Sequence, residues 1–197
     1  MKSFIQLTSI PDEDPPILHV VIIAGNGLAS GSLEFYISTS DIQKTGIALT
    51  KFSYSEKSNY SLEIGSEAPE AKFAHYFRFN VFPTGKAYNS YAIQIRLNNN
   101  EKLREQSWSH LHQENEFSIE TDIDNLKNLG QLLIDFCELE GDFSNRKYRR
   151  LYWTPKSGYL ETDEKTASPE HYDHVAEAFA YLEKQKNPAE ARFIKTY

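Results

Sequence analysis

The sharpest chemical feature of this chain is Arg146-Lys147-Tyr148-Arg149-Arg150, followed by Tyr152, Trp153 and Lys156. Cations interleaved with aromatic rings can grip phosphates and stack bases, or anchor a protein partner. They can equally seat against an acidic face of the same molecule. The six histidines are His19, His75, His110, His112, His171 and His174. His110 and His112 would share one side of a strand, and His171 and His174 lie i, i+3 on a helix, with Glu170 and Glu177 within a turn. Zinc needs three or four converging ligands, and no cysteine pair or His-Glu-x-x-His run supplies them. Both pairs therefore read as solvated surface, with a metal-dependent hydrolase as the enzyme alternative. Gly25-Asn26-Gly27-Leu28-Ala29-Ser30 follows a β-branched stretch, as a dinucleotide loop does. The helix whose N-terminus would hold the pyrophosphate is missing, since an alternating strand pattern comes next. This is a link between antiparallel strands. Cys137, on the apolar side of a helix pattern, reads as a small buried residue. No catalytic residue, cofactor or metal site is expected.

The elements that must position these residues follow from periodicity. Residues 17–24, bounded by Pro15-Pro16 and Gly25, predict a strand, and 33–38 alternate as a second. Ser40 with Gln43 has the form of a capping box opening a helix over 41–52. Strands are predicted at 60–65, 73–82 and 88–97, the last two joined by a turn at 83–86, with a polar excursion at 98–114. Phe117 and Ile119 mark a short strand, and Thr121 caps a helix running to Glu138, with Leu126, Leu129, Leu133 and Phe136 on one face.

The two helical units match. Phe35, Thr39, Gly46, Leu49 and Phe52 run parallel to Phe117, Thr121, Gly130, Leu133 and Phe136, with a two-residue gap between Thr and Gly. Glycine inside a helix costs about 1 kcal/mol against alanine. Two at matching places imply close approach of each helix to the sheet or to its sister. The predicted architecture is α+β: an antiparallel sheet of about six strands with two helices on one face, related by an internal strand-helix repeat, plus a C-terminal helical appendage. The core unit is 1–140. Residues 141–197 form a loop and helical appendage, either separate or part of the same domain. Within it, Ser168-Pro169-Glu170 opens a helix over 169–186 carrying Tyr172, Val175, Phe179 and Leu182 as one stripe. That stripe suits docking on its own domain better than a dimer seam, so a monomer or weak dimer is expected.

Composition narrows the function classes. The 197 residues carry a formal charge of −7, with 40% apolar and 25% charged residues. Residues 141–197 hold ten basic and nine acidic side chains, which leaves −8 on the first 140. Bulk charge argues against a nucleic-acid coat, and binding through 146–156 stays only an alternative. No apolar run approaches the roughly 20 residues of a membrane span, and no secretory leader is evident at the N-terminus. A single cysteine fits a reducing, cytoplasmic compartment.

Several segments together carry a resemblance: Leu33-Glu34-Phe35-Tyr36-Ile37 with Asp41-Ile42, Gly65-Ser66-Glu67 with Glu70, Tyr76 and Val81, Gly85, Ala92 to Asn98, Phe117-Ser118-Ile119-Glu120-Thr121, and Asn128-Leu129-Gly130. Over about 17–138 the chain resembles a family of small uncharacterised bacterial proteins associated with immunity-type domains. The most specific pieces are Gly-Ser-Glu and Phe-Ser-Ile…Leu-Gly. The resemblance implies a toxin-like protein partner and no catalytic residues. It leads to the expectation of a non-catalytic cytoplasmic protein that neutralises a bacterial toxin. The residues proposed to meet a partner are Arg146, Lys147, Tyr148, Arg149, Arg150, Tyr152 and Trp153.

Overall fold

A computed structural model describes residues 2–10, 16–53, 58–85, 89–100, 114–138 and 148–163. In chain order its elements are β1 (Phe4–Ile10), β2 (Ile17–Gly25), β3 (Ser30–Ser38), α1 (Thr39–Thr50), β4 (Tyr60–Gly65), a 3-10 turn (Pro69–Ala71), β5 (Tyr76–Pro83), β6 (Ser90–Asn98), β7 (Glu114–Asp122), α2 (Ile123–Glu138), β8 (Tyr148–Thr154) and β9 (Ser157–Asp163). The class is α+β, as expected, with every described strand pair antiparallel. The strand inventory differs from the expected one. Nine described strands form two sheets: sheet A, ordered β3-β2-β1-β8-β9, and sheet B, ordered β4-β5-β6-β7. β1, β8 and β9 escape the sequence pattern because their polar residues mask the alternation. Helix 169–186 lies outside the described residues.

The helix starts also differ. α1 is capped by Ser38, whose Oγ accepts from Asp41 N at 3.1 Å and donates to the Asp41 carboxylate at 2.7 Å. Ser40 falls inside the first turn. α2 is capped by Asp122, whose Oδ1 accepts from Asn125 N at 2.8 Å, while Thr121 is buried on β7. In each case the competing polar residue is two positions or fewer away, a difference that periodicity does not resolve.

These two caps set the register of the internal repeat. Ser38 and Asp122 are 84 residues apart, and so are Gly46 and Gly130. Strand pairing agrees: Ser38 faces Ile17 and Asp122 faces Ser90, and the buried positions 33, 35 and 37 of β3 correspond to 117, 119 and 121 of β7. The repeat therefore runs without a gap, and the two-residue gap of the sequence alignment is corrected. A slip of two along a strand keeps every side chain on its face, so the pattern alone cannot exclude it.

The described elements through β8 obey this symmetry. Three strands form a meander, a helix follows, and the next strand crosses to the other sheet. Thus β1-β2-β3-α1 sends β4 to pair with β5, and β5-β6-β7-α2 sends β8 to pair with β1. Each half completes the sheet of the other, and β9 extends sheet A. Segment 148–163 is consequently part of the same sheet as 4–38.

The inner faces of both sheets and the helix pair enclose one core. Phe35 of sheet A stacks on Phe77 of sheet B with centroids 5.0 Å apart. α1 packs against β3 and β4, and α2 against β7, β8 and β9. The helices meet at the two glycines. A Cβ on Gly46 would lie 2.7 Å from Gly130 O, and one on Gly130 2.7 Å from Gly46 O. The shared reason for the paired glycines is backbone contact between sister helices. No described helix is long and apolar enough to cross a membrane.

Candidate functional site

Arg146 and Lys147 lie outside the described residues, and Tyr148 opens β8. The rest of the segment is divided by the period of the strand. Arg149, Leu151 and Trp153 turn inward, while Arg150 and Tyr152 turn outward. Trp153 is fully buried, and its Nε1–H donates to Asn125 O of α2 at 3.0 Å. The Arg149 guanidinium donates to Phe136 O at 3.1 Å, a cation near the helix C-terminus, where the dipole favours it. Trp153 and Arg149 thus fasten α2 to sheet A. On the outer side, Tyr152 is flanked by the rings of Phe4 (6.1 Å) and Tyr159 (5.3 Å). Of the described part of the segment, Arg150 and Tyr152 are the residues on the outer side.

His110, His112, His171 and His174 lie outside the described residues. His19 Nε2 sits 2.7 Å from Glu34 Oε1, with its ring stacked on Tyr36 at 4.6 Å. His75 packs against Phe35 with centroids 5.7 Å apart, and burial holds its pKa below the ordinary 6.5. Among the described residues, no group of three or more His, Cys, Asp or Glu converges as a metal site. Cys137 is buried, its thiol 3.5 Å from Thr39 O. Gly25 to Ser30 is the turn of a hairpin: Asn26 N donates to Ala29 O at 3.0 Å, and Asn26 Oδ1 accepts from Leu28 N and Ala29 N.

The densest polar arrangement covers the outer face of sheet B, which the sequence reading did not single out. Arg96 is its centre. Its Nε donates to both oxygens of Glu67 at 2.9 and 3.1 Å, and its terminal nitrogens meet Glu114 and Glu116, each at 2.8 Å. Arg78 bonds Glu116 at 3.1 Å, and Gln94 donates to the same carboxylate at 2.8 Å. The bond to Glu67 is the main reason the Arg96 guanidinium holds its proton more tightly than an ordinary arginine. On the neighbouring strand, Tyr76 donates to Glu63 at 2.9 Å, and burial, followed by that carboxylate, raises its pKa above 10.0.

Here the Gly-Ser-Glu motif acquires a physical account. Gly65 has φ +79, and a Cβ there would strike the His75 carbonyl. Ser66 Oγ accepts from Ala68 N at 3.1 Å, and Ser66 O accepts from Asn100 Nδ2 at 2.8 Å. Glu67 takes Arg96 and also Asn98, at 2.6 Å. The motif ties the β4–β5 connection to β6. Likewise Phe117 and Ile119 are core residues, and Leu129-Gly130 lies at the helix contact. Both of the most specific motif pieces are framework.

Chemically, this face is a charged surface. The carboxylates of Glu63, Glu67, Glu114 and Glu116 are engaged by arginine, amide or phenol donors. Five glutamates (63, 67, 114, 116 and 120) share it with Arg78 and Arg96, which leaves an excess of negative charge. Phe82, 37% exposed, lies at the Ala92–Glu120 end, and Phe73, 49% exposed, at the Asn100 end. The alternation of Gln94, Arg96 and Asn98 with apolar residues was visible in the sequence. The convergence of Glu67 and Glu114 on Arg96 arises only from strand register.

In the core, Ile22, Phe35, Thr45, Phe79, Leu129 and Leu133 are among the residues bounding a cavity of about 50 Å³. The Thr45 hydroxyl is occupied by Asp41 O at 2.8 Å and the Tyr60 hydroxyl at 2.7 Å. The space is far below that of an ordinary ligand pocket. No family model, curated protein or solved structure matches the chain.

Proposed function

We propose that this chain is a non-catalytic protein-binding protein of the cytoplasm, an immunity-type antagonist of a bacterial toxin, acting as a monomer or weak dimer. The observation that carries the reading is the outer face of sheet B. Glu67, Glu114 and Glu116 are held in place there by Arg78 and Arg96, and exposed phenylalanines stand at two ends. A fixed acidic surface with apolar anchors suits a basic, cleft-bearing partner such as a nuclease domain. Charge complementarity speeds encounter and rejects wrong partners, while aromatic anchors supply affinity. The resemblance over 17–138 supports the same class.

The test is capture from the native host at moderate salt, followed by co-expression. One stoichiometric partner, whose growth inhibition this chain relieves, is expected. Phe82→Ser combined with Glu120→Lys is expected to weaken capture at least ten-fold while the fold persists. Turnover of a substrate by the pure protein, lost on replacement of one polar side chain, would overturn the reading.

A further inference from the structure

The turn between β2 and β3 holds Asn26-Gly27, the one Asn-Gly pair in the chain. Asparagine is among the thermally labile side chains, and the two ends of this carboxamide are used unequally. Asn26 Oδ1 accepts from Leu28 N at 3.0 Å and from Ala29 N at 2.9 Å. Its Nδ2 donates to no group among the described residues. Asn80, Asn98, Asn100 and Asn125 differ, for each donates through Nδ2 at 2.6–3.3 Å. Gly27 sits in the left-handed region at φ +89 and has no side chain to screen its amide nitrogen from the neighbouring carboxamide. Leu28, 96% exposed, leaves the turn open to water.

We propose that Asn26 is a site of spontaneous deamidation, and that the fold accepts the aspartate it yields. The Gly27 amide nitrogen, after losing its proton to base, attacks Asn26 Cγ. A bond forms between that nitrogen and Cγ, the Cγ–Nδ2 bond breaks, and Nδ2 takes up a proton and leaves as ammonia. Water then opens the cyclic imide and restores the Gly27 N–H. The sum is asparagine plus water giving a carboxylic acid plus ammonia. Opening at Cγ yields aspartate, and opening at the Asn26 main-chain carbonyl yields isoaspartate. A carboxylate of aspartate keeps both acceptor roles of Oδ1, and its charge strengthens bonds from the two main-chain donors. The departing group leaves no hydrogen bond unmade. Isoaspartate instead adds a carbon to the main chain inside the turn that Asn26 N closes by donating to Ala29 O at 3.0 Å. This inference goes beyond the proposed function and does not depend on it.

The experiment ages the freshly purified full chain at mildly alkaline pH, resolves it by ion exchange and maps the new acid by peptide mass spectrometry. A more acidic species is expected, carrying the acid at position 26 before Asn80, Asn98, Asn100 or Asn125 changes. Its rate of appearance should rise with pH, because the nucleophile is a deprotonated amide. Asn26→Asp supplies the authentic product: an aged species should elute with it, and its midpoint in urea should equal or exceed that of the parent. An unchanged charge profile, or acid appearing first at another asparagine, overturns the proposal. So does a rate that does not rise with pH, which removes Gly27 from the step. An Asn26→Asp midpoint below the parent's overturns the claim that the fold accepts the product.

Discussion

Replacing Gly130 with alanine sets two effects of known size against each other. Intrinsic propensity favours alanine in a helix by about 1 kcal/mol. Against it stands the geometry of the crossing: the new Cβ would lie 2.7 Å from Gly46 O, 2.8 Å from Leu49 Cβ and 2.8 Å from Thr50 N. Ordinary contact begins near 3.4 Å, so the helices must part by about 0.7 Å. Two of the three atoms are backbone and cannot rotate aside. Overpacking of this kind costs about 1–3 kcal/mol, and rigid partners place it at the upper end. The net expectation is a loss of about 2 kcal/mol, or a fall in Tm of about 4–8 °C for a chain of this size. Gly46→Ala, which meets Gly130 O at 2.7 Å and Ile134 Cγ1 at 2.8 Å, is expected to behave alike. Once one substitution has spread the helices, the second meets more room. The double variant should therefore lose less than the sum, with a coupling of about 1 kcal/mol. Urea unfolding of the four proteins measures this directly. A gain in stability for either single variant would show that propensity decides and would refute the close-contact account.

Three further outcomes are expected. Trp153→Phe removes the hydrogen bond to Asn125 O along with core volume and should cost about 1–3 kcal/mol. An unchanged midpoint in urea unfolding would contradict the inward assignment of Trp153. Arg96→Ala leaves Glu67, Glu114 and Glu116 without their shared cation. It should destabilise by about 1–3 kcal/mol, a deficit partly relieved by added salt because the remaining repulsion is screened. An unchanged midpoint, or a deficit that grows with salt, would count against the arrangement. His75 titrates below 6.5 in the folded chain, so under that pH the unfolded chain binds the extra proton first. Stability must then fall as pH drops from 6.5 toward the folded value. Denaturant midpoints at about pH 7.5 and 5.5 should differ less in His75→Gln than in the parent; an unaltered slope would remove His75 from the account.

Much of the framework was legible because it rests on local chemistry. The β-branched run at 17–24, the leucine stripe of α2 and the helix glycines at 46 and 130 report short-range geometry that any sequence window contains. The repeat was visible for the same reason. Its register was not, because a strand pattern is unchanged by a slip of two, and only the caps at Ser38 and Asp122 together with strand pairing distinguish 82 from 84. β1 and β8 were missed for a related reason. Phe4-Ile5-Gln6-Leu7-Thr8-Ser9 and Arg149-Arg150-Leu151-Tyr152-Trp153 alternate only weakly, and their stability comes from lying beside each other in the middle of a sheet.

The candidate surfaces divide in the same way. That Arg146 to Trp153 is rich in cations and rings is a property of the sequence, and so are the −7 charge and the lone cysteine. That Trp153 and Arg149 face α2 while Arg150 and Tyr152 face outward is set by the strand period acting within a particular sheet. Arg96 gathers carboxylates from positions 67, 114 and 116 because β6 lies between β5 and β7 and because the Gly65 turn carries Glu67 back over it. By itself the sequence determined the α+β composition, the paired glycine helices and the charge. The exchange of β4 and β8 between sheets, and the charged face it helps to build, were decided by the tertiary structure, since contacts between residues distant along the chain leave no period for a local pattern to carry.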